Sequence, residues 1–169
     1  MTWYKVLGRE GNAIYGKGTW NLPEGDTPGE WMPYLGGELR ECVYGYHITD
    51  AEGLGTWAGP RIFMVEPLWT VRGQGDVWIT PQARLLRETC WNTETQYKLI
   101  RDCIDHAHRN NIPSDKLRRL DGEFLSHDFS GYPDHVVGLF WSDVAQEMNW
   151  DAKWYKQRLL AYVHGSAVL

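Results

Sequence analysis

Arg61-Ile62-Phe63-Met64-Val65-Glu66-Pro67-Leu68 is the stretch on which the fold turns. It is a short, nearly continuous apolar run, and turn residues flank it. That pattern predicts a central β-strand. Upstream, Thr2–Leu7 (TWYKVL) predicts a first strand, followed by a turn at Gly8, Gly11 and Asn12. Ala13–Tyr15 and Lys17–Asn21 are expected to make a return strand. Leu39–Thr49 (LRECVYGYHIT) predicts another strand, with Gly45 as a bulge. Thr49 or Asp50 would cap a short helix through Trp57, which Gly59-Pro60 ends. Downstream, Trp69–Val71 and Val77–Thr80 flank Gly73-Gln74-Gly75-Asp76, a hairpin signal. Gln82–Glu88 reads as a last strand or a short helix.

Beyond residue 90 the texture changes. Asn92 or Thr93 would cap a helix whose Tyr97, Ile100, Cys103, Ile104 and Ala107 follow helical spacing. It should stop near Asn110-Asn111, ahead of Pro113. Further helices are expected over Ser114–Phe124, His135–Met148 and Trp150–His164, with a polar loop over Ser126–Asp134 and Gly165 as a terminator. Strands first and helices second is the α+β pattern. The expectation is one domain over residues 1–169. A small bent antiparallel or mixed sheet over 1–90 would be packed by helices over 91–169. No strand runs through a glycine-rich turn into a helix, so neither a dinucleotide fold nor a P-loop is supported.

Composition bounds the function. The chain has 169 residues, with 17 Lys+Arg against 22 Asp+Glu and a net charge of −5. That balance argues against broad nucleic-acid binding, which needs a basic surface. Hydrophobic content of 43% with 23% charged residues excludes global disorder. No apolar run approaches the about 20 residues that span a bilayer, and Met1–Lys5 shows no signal-peptide pattern. Cys42, Cys90 and Cys103 are odd in number and lack a CxxC spacing. Reduced thiols and a cytoplasmic setting are expected. No metal site is expected, because His106 and His108 diverge on a helix and only His127, Asp128, Asp134 and His135 flank one loop.

Trp and Tyr are abundant, at 10 and 9 residues. The loop 22–38 carries Trp31, Met32 and Tyr34 between prolines, and Trp20 stands just before it. These four either lid the core or bind a partner. The block Cys42–Thr49 is the densest in chemistry. On a strand, Tyr44, Tyr46 and Ile48 would share one face, and His47 and Thr49 the other. If this strand paired with that of Glu66, His47 and Glu66 would approach as a His–carboxylate pair. The alternative is a buried structural histidine. Arg84, Arg87, Arg118 and Arg119, with Lys116, supply local positive charge, either as solvated faces or as a phosphate site.

Several blocks resemble an uncharacterised family of small proteins carried by phages and actinobacterial genomes. They are Gly18–Trp20, Leu22-Pro23-x-Gly25-x-x-Pro28-Gly29-x-Trp31-Met32-Pro33, Cys42-x-x-Gly45-Tyr46-His47, Leu54-x-x-Trp57-x-Gly59-Pro60, Glu66, Ala83–Arg87 and Trp154-x-x-x-Arg158-Leu159-Leu160-x-Tyr162. The resemblance implies a phage or mobile-element accessory protein. Such a protein would act in the host cytoplasm and bind a host protein or a nucleotide-like ligand. Tyr46, His47, Trp57 and Arg84 would hold the ligand; Trp20, Trp31, Met32 and Tyr34 would face the partner.

Gly45-Tyr46-His47-Ile48-Thr49 before a short helix also resembles the middle motif of ADP-ribosyltransferase-like domains. That likeness implies NAD as cofactor, with Tyr46 and Thr49 lining its pocket and Glu66 or Glu88 as the acid. His47, Glu66 and Thr49 are then the catalytic candidates. The sequence departs from that pattern at His47 and lacks a Glu-x-Glu or Gln-x-Glu pair. Composition leaves cofactor and oligomeric state open.

Overall fold

The computed structural model describes residues 1–127 and 131–167, apart from the side chains of residues 126 and 127. Strand β1 (Trp3–Leu7) and β2 (Tyr46–Ile48) are followed by the one-turn helix α1 (Leu54–Trp57). Next come β3 (Arg61–Leu68), β4 (Arg72–Gln74), β5 (Val77–Thr80) and β6 (Gln82–Glu88). The helices α2 (Thr93–Arg109), α3 (Asp115–His127), α4 (Asp134–Glu147) and α5 (Ala152–Val163) complete the order, with a 3₁₀ turn at Asn149–Asp151. The class is α+β, with antiparallel strands in the N-terminal half and helices after them. Gln82–Glu88 resolves as a strand. The expected loop over 126–134 lies partly outside the described residues, as do Asp128 and the side chain of His127.

Two three-stranded sheets replace the single bent sheet. Their orders are β1-β3-β6 and β2-β5-β4, all antiparallel. β3 is central, as its apolar run predicts. One backbone bridge joins the sheets: Tyr4 N–H donates to Thr49 O at 2.8 Å, and Thr49 N–H to Tyr4 O at 3.0 Å. The strand period of two divides the core. Tyr4, Val6, Ile62 and Met64 face a cluster shared with the helices. Trp3, Leu7, Phe63 and Val65 face a second cluster with Trp20, Ile48, Ala83 and Leu85. Each large apolar side chain buried this way stabilises by about 1.5–3 kcal/mol before entropy is counted. A bulge at Met64/Val65 shifts the β3–β6 register.

Asn92 caps α2 with a reciprocal pair: its Oδ1 accepts from Thr95 N–H at 3.0 Å, and its own N–H donates to Thr95 Oγ1 at 2.8 Å. The buried face of α2 is Gln96, Leu99, Ile100, Cys103, Ile104 and Ala107. Two tryptophans anchor the helices. Trp91 Nε1 donates to Gly59 O at 2.8 Å and Trp141 Nε1 to Gln96 Oε1 at 2.9 Å, with the rings edge-to-face at 5.2 Å.

Four local expectations are corrected. Residues 39–45 form a turn, because Cys42 and Gly45 adopt φ of 58° and 140° and interrupt extended backbone. Residues 13–21 make only the Asn12–Thr19 bridge, because Gly11 and Gly18 turn the chain at φ of 78° and 114°. The hairpin closes through Gly75-Asp76, and its first arm is Arg72–Gln74 rather than Trp69–Val71, because Trp69 at φ 70° leaves the extended backbone. Asp50 does not cap α1 directly; Gly53 does. Asp50 Oδ1 accepts from Gly53 N–H at 2.9 Å and closes the turn ahead of the helix.

Candidate functional site

The aromatic side of the first sheet carries Trp20, Met32 and Tyr46 of the residues that the sequence nominates. Lys5 lies on that face by strand alternation, among apolar neighbours. Its ammonium donates to His47 O at 2.8 Å and sits 5.1 Å from the centre of the Trp20 ring. Among the described residues no carboxylate pairs with it. Burial lowers its pKa from 10.5 to about 8. Strand periodicity alone could place Lys5 on this face, but nothing in the sequence shows which face is dry.

His47 staples the preceding turn. Its Nε2 accepts the Cys42 N–H at 2.7 Å, which assigns the ring proton to Nδ1 in the neutral form. Burial lowers its pKa and the neighbouring Lys5 charge adds to this, outweighing the Gly45 carbonyl and Glu41. Glu66 is elsewhere: β2 pairs with β5, whereas β3 pairs with β1 and β6. The conditional approach of His47 to Glu66 therefore does not form. Glu66 Oε2 instead accepts from Arg84 Nε at 2.7 Å, and Arg84 also lies 4.6 Å from the centre of the Trp31 ring. Thr49 is buried and its hydroxyl donates to Asp76 O at 3.1 Å. Trp57 is half-buried, edge-on to Tyr15, and its buried Nε1 has no partner among the described residues.

The loop 20–35 covers the free edge of β6. Gly29, Met32 and Leu35 N–H donate to Leu85, Ala83 and Pro81 carbonyls, each at 2.9 Å. Every third loop residue thus meets alternate carbonyls of the strand, a rhythm that suits a proline-bearing segment with three residues per turn. Gln82 Nε2 donates to Met32 O at 2.9 Å, and Tyr46 O–H to Pro33 O at 2.7 Å. Burial, with Tyr44 nearby, raises the Tyr46 pKa. Gly29 is required: a Cβ there would stand 2.2 Å from Asn21 O. Trp20 is buried edge-on to Tyr46, and Trp31 and Met32 are half-buried. These three mainly seal the core and the sheet edge.

Tyr34 differs. It is 61% exposed and meets the 69% exposed Trp69 edge-to-face at 6.4 Å. Leu68 is exposed beside them in sequence. Trp69 holds φ of 70°, a left-handed conformation that a bulky residue adopts only under constraint. Sequence reading placed Trp69 inside a strand and missed it. Its clue was the Leu-Trp pair after Pro67, where a strand ends without an apolar neighbour.

Two shallow clefts stand out, about 160 and 240 Å³, and neither is lined by Tyr46, His47, Trp57 or Arg84. Among the described residues no group of three or more His, Cys, Asp or Glu side chains could hold a metal ion. No described helix is long and apolar enough to cross a membrane. Comparison with models of known protein families, with curated proteins and with solved structures found no match.

Proposed function

We propose that this chain is a binding protein that grips another protein through the Tyr34–Trp69 pair. In the setting that the phage-family resemblance implies, the partner is a host protein in the host cytoplasm. The observation that carries this reading is Trp69, a large apolar side chain held out at 69% exposure on a strained backbone beside an exposed tyrosine. Folding favours burying such a ring, so a strained, outward Trp points to use rather than packing. Trp and Tyr are also the residue types that dominate binding hot spots. The loop laced along β6 fixes Tyr34 in advance, which lowers the ordering cost of association.

The transferase alternative has less support. The Thr49 hydroxyl, the Glu66 carboxylate and the His47 Nε2 are engaged within the fold. NAD would need these groups free.

The test is capture from host lysate by immobilised wild-type protein, by a Trp69→Ala/Tyr34→Ala double variant and by a Leu139→Ala control. A hot-spot pair predicts at least about 30-fold weaker capture by the double variant alone, with unfolding midpoints unchanged. Equal capture by all three proteins would overturn the reading.

A further inference from the structure

The larger cleft opens at the head of α2, away from the aromatic pair. It is lined by Arg9, Arg61, Glu88, Trp91, Thr93 and Gln96, among others, and has a volume of about 240 Å³. Among the described residues, the donors at the head of α2 have no partner beyond the cap itself, which serves only Thr95 and Gln96 N–H. The Asn92 cap serves Thr95 N–H, and Gln96 N–H reaches Asn92 O. Thr93 and Glu94 N–H therefore keep the free positive end of a seventeen-residue helix. Gln96 is the second, independent sign. It is only 4% exposed, and its Oε1 is fixed by the Trp141 indole. Its Nε2 has no acceptor among the described residues, so Gln96 turns an unused donor toward the cleft.

The charged residues nearby hold one another in place. Arg61 clasps Glu88 through two bonds, at 2.7 and 2.8 Å, and donates to Arg9 O at 2.9 Å. Arg9 bonds Asp134 Oδ1 at 3.0 Å and Tyr132 O at 2.8 Å. The Glu88 carboxylate is thereby neutralised rather than left to repel an anion. Trp91 supplies an apolar wall.

We propose that this cleft binds the carboxylate or phosphate group of a small molecule, held by Thr93 N–H and Gln96 Nε2, both of which belong to residues that line it. Its volume lies below the about 300 Å³ at which drug-sized pockets begin, so the ligand is small. This site is independent of the aromatic pair, and either can fail alone.

The experiment is an amide NMR titration of the whole chain with inorganic phosphate and, separately, with acetate. Saturable shifts centred on the Thr93 amide and the Gln96 side chain are expected with at least one probe. The stronger probe tells phosphate from carboxylate. Thr93→Pro removes one donor at a position where proline suits a helix start, and Asn92 already has the extended backbone required before proline. Gln96→Glu keeps the acceptor for Trp141 and replaces the donor with a carboxylate. Each folded variant should weaken binding by about tenfold, the loss of a charge-assisted hydrogen bond. Shifts that never saturate, that spread over surface Lys and Arg neighbours, or that survive both variants would overturn the proposal.

Discussion

Replacing Lys5 with Met should stabilise the protein, although it removes a hydrogen bond. The amine is lowered from 10.5 to about 8 by desolvation, so the fold disfavours its charged form. A displacement of that size corresponds to about 3 kcal/mol. The side chain is half-buried, so water screens part of this, and about 2 kcal/mol is expected. The sign follows from linkage. Between about 8 and 10.5 the unfolded chain holds the proton that the folded chain has released, so wild-type stability gains with rising pH there. The penalty is fully present below 8 and gone above 10.5. Met keeps the stem's packing over Trp20 without the charge. Urea unfolding of wild type and Lys5→Met, at about pH 7 and again above pH 10.5, measures it. Tyrosine titration affects both proteins alike and cancels in the difference. The variant should lead at neutral pH, and the gap should close in alkali. A less stable variant at neutral pH, or a gap independent of pH, would refute the reasoning.

Three further outcomes follow from the helical half and the thiols. Trp141→Phe leaves Gln96 Oε1 without its donor in a buried site and should cost about 1–3 kcal/mol by urea unfolding. His106 stacks on Trp154 at 3.8 Å and on Trp150 at 5.1 Å, and bonds Asp151 at 2.9 Å. His106→Ala should therefore cost about 2 kcal/mol and change the near-UV tryptophan signal, since it loses two ring contacts and a hydrogen bond. Iodoacetamide on the native protein should label the exposed Cys42 and Cys90 and spare Cys103, which is buried and whose thiol pKa burial pushes far up; mass spectrometry of the labelled peptides reads this out.

The parts of the fold legible in the sequence are those governed by period. Ile62, Phe63, Met64 and Val65 announce a strand covered on both faces, and two cores lie on either side of it. The helical spacing of Ile100, Cys103, Ile104 and Ala107 likewise marks the buried face of α2. What resists sequence reading depends on contacts remote along the chain. Cys42 adopts a left-handed backbone in a turn held by the His47 ring, and a run that reads as strand breaks there. The prolines and glycines of 22–38 look like punctuation. Only the position of β6 turns their N–H groups into an edge cover. The candidate site divides the same way. Tyr34 is nominated by its loop, whereas Trp69 becomes visible only when its ring is seen outside both cores.

The most direct measurement of the binding claim is site-specific photocrosslinking. Benzoylphenylalanine installed in place of Leu68, beside the aromatic pair, is compared with the same group in place of Leu139, an exposed leucine on α4. After irradiation in host lysate, position 68 should give one discrete protein adduct that disappears when Trp69→Ala is added, and position 139 should give none. No adduct at position 68, the same adducts at both positions, or an adduct indifferent to Trp69→Ala would contradict it.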